Sequence, residues 1–133
     1  MKRLMTLTLA ATLLAGATSA KPALRDVAEI DNSLMMVAIA DELRKECGDL
    51  DARMLKALGY LETLKSRARS LGYSNDEIEE YVTSKSEKTR MRAKATGYLE
   101  SLGVNPADEA SFCAYGRKEI EKGTLVGSLL RAR

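Results

Sequence analysis

Four glycines, Gly48, Gly72, Gly103 and Gly123, cut this chain into segments whose apolar residues recur three and four positions apart. That spacing is the signature of helices with one buried face, and no segment alternates convincingly at period two. Asp31, Asn32 and Ser33 offer N-caps for a first helix carrying Leu34 to Ala40, seven consecutive apolar residues, and stopping at Gly48. A helix apolar on all sides is normally a buried one, so it is expected at the centre. A second helix is expected from Asp49 or Asp51 to Leu71, with Gly72 as its C′ residue. Met54, Ala57, Leu61, Leu64, Ala68 and Leu71 form its stripe, while Arg53, Lys56, Glu62, Lys65, Arg67 and Arg69 take its other faces.

Ser74 with Glu77, and Ser84 with Glu87, repeat the spacing of a capping box. The first opens a short helix with Ile78, Tyr81 and Val82 inward. The second opens a helix with Met91, Ala95, Tyr98, Leu99 and Leu102 on its apolar face. Asn105 is expected to cap a fifth helix with Pro106 at its first position, where a missing N–H costs nothing. That helix carries Phe112, Cys113 and Ile120 to Gly123, and the tail from Thr124 to Arg131 reads as a final docked turn or two. The expected fold is all-α: one compact bundle of five to six short helices over residues 21–133.

The first twenty residues read differently. Lys2 and Arg3 precede an uncharged, mostly apolar run from Leu4 to Ala17, and Thr18-Ser19-Ala20 places small residues at a cleavage site. This is the layout of a secretory signal peptide, cleaved after Ala20. The run is short of the roughly 18 residues that span a bilayer. No Cys at the site offers a lipid acceptor, and no paired arginine precedes the run, so the general secretory route to the periplasm or beyond is expected. Cleavage takes Lys2 and Arg3 from the 21 basic residues and leaves 19 against 19 acids. A neutral total argues against a dedicated nucleic-acid binder. Cys47 and Cys113 are the only cysteines. In an oxidising compartment an even pair is most simply a disulfide, and closing a loop of roughly 65 residues is worth about 4 kcal/mol. The spacing is not the Cys-x-x-Cys of a redox-active pair.

The chain has no histidine. That removes His-based triads, imidazole bases, histidine metal sites and haem attachment together. No Gly-x-x-x-x-Gly-Lys loop or Gly-x-Gly-x-x-Gly turn is present. The acidic clusters Asp76-Glu77-Glu79-Glu80 and Asp108-Glu109 sit at helix starts, where the macrodipole favours negative charge. No catalytic, cofactor-binding or metal-ligating residue is therefore assigned, no cofactor is expected, and the chain reads as a non-enzyme. Lys85, Lys88, Arg90, Arg92 and Lys94, interrupted by Glu87, form a candidate face for an acidic partner or an anionic membrane, or a solvated helix face. The segment Lys56 to Leu64 matches Lys94 to Leu102 at seven of nine positions. Its helix-interior glycines cost about 1 kcal/mol each relative to Ala, which marks Gly59, Tyr60, Gly97 and Tyr98 as candidate close-packing or groove positions. Met35, Met36 and Met54 suit either an adaptable groove or core filling. Gly123 and Gly127 form a small-xxx-small pair expected to mark close packing.

The strings Glu29-Ile30-Asp31-Asn32, Val37-Ala38-Ile39-Ala40-Asp41-Glu42, Arg53-Met54-Leu55-Lys56-Ala57-Leu58-Gly59, Leu64-Lys65-Ser66-Arg67-Ala68-Arg69 and Gly116-Arg117-Lys118-Glu119-Ile120-Glu121 resemble domain-of-unknown-function family 5333. The resemblance covers nearly all of the mature chain. It implies a small exported two-cysteine helical domain and brings no assigned activity. The functional expectation is a non-enzymatic periplasmic protein, an accessory or regulator that binds another periplasmic or envelope protein. Two alternatives stand beside it. One is a small acid-stress chaperone, since protonating the 19 carboxylates leaves a formal charge near +19 and self-repulsion. The other is a small-ligand carrier.

Overall fold

The computed structural model describes residues 21–133. The signal peptide expected over residues 1–20 lies outside the described residues. After a single 3₁₀ turn, Leu24–Asp26, the order is α1 (Ala28–Glu46), β1 (Leu50–Ala52), α2 (Met54–Ser70), α3 (Asn75–Thr83), α4 (Lys85–Ser101), α5 (Glu109–Lys122), α6 (Leu125–Ser128) and β2 (Leu130–Ala132). The expected helical bundle is what forms.

Helix α1 is the axis, packing against α2, α4, α5 and α6. Its Ile39 and Leu43 are fully buried, in one apolar cluster with Ala95 and Leu99 of α4, Phe112 of α5, and Leu129 and Leu130. A second, smaller cluster joins Leu24, Ile30, Ala68, Tyr73 and Ile78 where α2 turns into α3. Cys47 and Cys113 are bonded, with Cα atoms 5.2 Å apart, so the end of α1 is tied to α5.

Three boundaries differ from expectation. Helix α1 begins at Ala28, and Asp31, expected as a cap, is an interior residue of the helix and only 4 % exposed. The residues expected to start the second helix form β1 instead. It pairs antiparallel with β2 in the register Leu50↔Ala132, Asp51↔Arg131 and Ala52↔Leu130. Three-residue strands are too short to show alternation, and their partner lies eighty residues away, so no local pattern announces them. Fixing this corner, the Arg53 N–H donates to Leu129 O and the Arg133 N–H to Asp49 O. The fifth helix begins at Glu109, capped by Asp108, whose side chain accepts from the Ala110 N–H. Asn105 instead caps the preceding turn, accepting from the Ala107 N–H at 3.0 Å, and Pro106 lies in that turn.

The capping boxes divide. Ser74 and Glu77 make both reciprocal bonds at the start of α3. Ser84 accepts from the Glu87 N–H, but the Glu87 carboxylate is drawn away to Arg25 at 2.7 Å and Arg90 at 2.9 Å. Gly127 is where α6 meets α5: a Cβ there would collide with the backbone of Glu119 and Ile120. Gly123 has open space but ends α5 at φ 65°, a left-handed conformation that glycine adopts without strain.

Candidate functional site

The seven-residue apolar run of α1 does two jobs. Met35, Ile39 and Ala40 are buried, whereas Leu34, Val37 and Ala38 are only half-covered. A helix turns 100° per residue, so Leu34, Val37, Ala38 and Asp41 share one strip of α1. On one side of that strip α1 engages α4, through Asp31 to Lys94 and Glu42 to Arg92. On the other it engages α2, through Glu29 to Arg67. The strip itself is the floor of an apolar groove of about 780 Å³. Ala57, Leu58, Leu61 and Leu64 of α2 form one wall, Met91 of α4 the other, and Ile78 and Val82 of α3 line it too.

At the start of α2 the apolar surface spills out of the groove. Met54 is 56 % exposed, Leu58 54 % and Leu55 87 %. Single exposed apolar residues are ordinary; here Met54 and Leu58 line the groove and Leu55 adjoins it, so the exposed apolar surface is continuous with the groove. The groove's charged edge is largely paired within the chain. Asp41 meets Arg44 and Lys45, both at 2.6 Å. Glu42 meets Arg92 at 3.6 Å, and Lys65 holds Glu62 and Glu79 at 3.4 and 3.1 Å. Those contacts have the expected electrostatic effects. Burial alone would raise the Asp41 pKa, but hydrogen bonds and charge from Lys45 and Arg44 outweigh it and lower it. The hydrogen bond to Glu79 raises that of Lys65. Lys88, on the α4 edge, has no acid partner among the described residues.

Beside the groove, Asp31 gathers three donors onto one buried carboxylate. Arg90 Nη2 lies at 2.5 Å, Lys94 Nζ at 2.6 Å and the Tyr81 hydroxyl at 3.1 Å. Burial pushes the Asp31 pKa up, and the hydrogen bonds from Arg90, Lys94 and Tyr81 overcome it, bringing it down to about 2. Burial and the Asp31 charge push Tyr81 up to about 12, and the hydrogen bond to Asp31 raises Arg90. This cluster fastens α3 and α4 to α1.

The basic stretch does not form one face. At helical spacing, Lys85, Lys88 and Arg92 fall on one side and Arg90 and Lys94 on another. The latter pair turn inward to Asp31, and Arg92 turns to Glu42. Lys85 and Lys88 remain without an acid partner among the described residues. The internal echo does not make two equivalent half-sites either. Ala95 and Leu99 are core residues, 0 % and 1 % exposed, whereas their counterparts Ala57 and Leu61 line the groove. Gly59 and Gly97 are not close-packing positions: a Cβ on either would meet nothing within 4 Å among the described residues. Tyr60 packs half-buried on the main core, and Tyr98 is 37 % exposed. Gly97→Ala is therefore expected to stabilise the fold by about 0.5–1 kcal/mol, whereas Gly127→Ala, forced against backbone, is expected to cost about 2–3 kcal/mol. Urea midpoints at unchanged slope measure both.

The acidic clusters serve helix starts and local contacts. Glu77 completes its capping box, Asp108 caps α5, and Glu109 accepts from the Gly48 N–H at 3.1 Å. Met35 is core, Met36 is half-buried against it, and Met54 stands at the groove. Cys47, Cys113 and Asp49 lie close together, but both sulfurs are committed to the disulfide and offer no thiolate to a metal.

Sequence reasoning alone did not find the groove or the Asp31 cluster. Leu55 and Leu58, which fall off the α2 stripe, were the signal for the first. For the second no local signal exists, because its donors lie fifty or more positions away. The model of a family described as Family of unknown function (DUF5333) matches residues 22–131. Neither a curated protein nor a solved structure matches the chain.

Proposed function

The chain belongs to the family of unknown function DUF5333, and from that premise we propose that it is an exported, non-enzymatic binding protein, an accessory or regulator of another envelope protein. The observation that carries this reading is the groove on α1, α2, α3 and α4, together with the exposed Met54 and Leu58 that line it and Leu55 beside it. A surface of that kind is costly to leave in water unless something docks on it. The lack of histidine and of any nucleotide-binding loop supports a binding role over a catalytic one.

Export rests on the signal-peptide layout of residues 1–20, with cleavage after Ala20 and delivery to the periplasm by the general secretory route. The Cys47–Cys113 bridge suits an oxidising compartment, and no helix among the described residues is long and apolar enough to cross a membrane.

The test is recovery of a native complex. After crosslinking in intact cells, the wild-type protein is expected to be purified with one stoichiometric envelope protein. Leu58→Asp, at the groove, is expected to lose it, and Leu102→Asp, at an exposed position outside the groove lining, to keep it. Purification of a monomer with no retained partner, or equal recovery with Leu58→Asp, contradicts the reading.

A further inference from the structure

We infer that α3 is an acid-released latch: at neutral pH carboxylates hold it between the basic end of α2 and the basic start of α4, and protonating them frees it while the rest of the bundle stays folded. Charge, tethering and packing each single out this helix, whatever docks in the groove.

The first is charge. Helix α3 carries Asp76, Glu77, Glu79 and Glu80 and no base. The last turns of α2 carry Lys65, Arg67 and Arg69. Helix α4 opens with Lys85, Lys88, Arg90, Arg92 and Lys94 against Glu87 alone. An acidic helix between two basic ones is attracted to both while its carboxylates are ionised.

The second is the identity of the tethers. Glu77 meets Lys21, which precedes α1, at 3.1 Å, and Glu79 meets Lys65 of α2 at 3.1 Å. Lys65 is shared with Glu62 of its own helix. The Tyr81 hydroxyl donates to Asp31 of α1, the carboxylate that also holds Arg90 and Lys94 of α4. Arg90 in turn donates to the Tyr81 oxygen at 3.3 Å and pairs with Glu87, which Arg25 shares. Asp76 and Glu80 have no cation partner among the described residues. Only the contact from Arg69 to Asn75, at 3.4 Å, ties α3 to another element without a carboxylate nearby.

The third is packing. Ile78 is the single buried residue of α3, set among Leu24, Ile30, Ala68 and Tyr73. Among the described residues no backbone hydrogen bond joins α3 to another element. With so small an apolar seal, the charged tethers decide whether it stays docked. Released, a helix of nine residues is too short to persist in water and unwinds.

Acid acts on these tethers in one direction. The Ser74 N–H and Lys21 depress Glu77. Against the pull of its burial, Asp31 is brought down to about 2 by Arg90, Lys94 and Tyr81. Carboxylates depressed in this way give stability that is present above their ordinary range and lost as pH falls, here from about pH 4 to 2. The flanking lysines and arginines keep their charge throughout. Because Ile78, Tyr81 and Val82 line the groove, release removes its α3 side.

The test is amide hydrogen exchange of the purified, oxidised protein, read by peptide mass spectrometry at pH 7 and pH 3 and corrected for intrinsic exchange rates. Protection of α3 is expected to fall about tenfold at pH 3, and that of α1 and α5 less than about twofold. A variant with Asp76→Asn, Glu77→Gln, Glu79→Gln and Glu80→Gln neutralises α3, and Gln at position 77 keeps the capping box. At pH 7 it is expected to show the low α3 protection of the acidified wild type, with α1 and α5 still protected.

Loss of α3 protection only in step with α1 and α5 overturns the inference, since acid then acts on the whole fold. So does undiminished α3 protection at pH 3. Wild-type α3 protection in the folded neutralised variant also overturns it, and if that variant does not fold, the wild-type comparison decides alone.

Discussion

Breaking the Cys47–Cys113 bridge is expected to lower folding stability by about 4 kcal/mol. The bond closes a loop of 66 residues, and the chain-entropy model assigns a loop of that size about 4 kcal/mol through the unfolded state. The loop contains all of α2, α3 and α4, so the bond limits the freedom of the three helices that wall the groove over α1. For a folded domain of this size the loss corresponds to about 15 °C in melting temperature. Urea denaturation with and without dithiothreitol, and of the Cys47→Ala/Cys113→Ala double variant, measures it. The two reduced states are expected to agree with each other and to unfold at markedly lower urea. A shift below about 1 kcal/mol contradicts the assigned role.

The second large effect is at Asp31. Replacing it with Ala leaves Lys94 with no acid partner among the described residues, Arg90 with Glu87 alone, and the Tyr81 hydroxyl without its acceptor. Removing one member of a buried ion pair costs about 3–5 kcal/mol; partial exposure of both cations places this case at the lower end, about 3 kcal/mol.

The same carboxylate sets an acid response. Its folded-state pKa of about 2 lies below the ordinary value of 3.8. A group depressed in this way contributes stability that is fully present above its unfolded pKa and is lost as pH falls toward the folded one. The window is therefore pH 4 down to 2, and the contribution is about 2 kcal/mol. Asp41 is depressed too, and adds in the same direction. Asp31→Asn is expected to start less stable at pH 7 and to lose less than the wild type between pH 4 and 2. Parallel pH profiles of the urea midpoint for the two proteins contradict this account.

How much of this was legible in the sequence follows from range. Ser74 with Glu77 and Ser84 with Glu87 act within one helical turn, and the helix starts they mark are where α3 and α4 begin. Gly72, Gly103 and Gly123 follow the ends of α2, α4 and α5 as their spacing implies. The cysteine pair was readable because there were only two. What could not be read depends on contacts between distant segments. The β1–β2 pair consists of two three-residue strands about eighty residues apart in the chain. Asp31 has the residue type of a cap and sits near the start of a helix, but tertiary partners on α3 and α4 claim it for the interior. Arg90 and Lys94 look like part of a solvated basic face until Asp31 is placed opposite them. The groove is the subtlest case. Ala57 and Leu61 read as core positions as readily as Ala95 and Leu99 do, and only the assembled fold shows that the α4 pair is covered and the α2 pair is open.

The claim on which the functional account rests is that the open face of α2 and α1 is where this chain meets its partner. Its most direct test is a photo-crosslinking amino acid placed in turn at Leu58 in the groove and at Leu102, exposed outside the groove lining, with crosslinking in living cells. The account predicts one discrete adduct from Leu58, mapping to an envelope protein, and no adduct from Leu102. Adducts of equal yield and identity from both positions, or none from Leu58, contradict it.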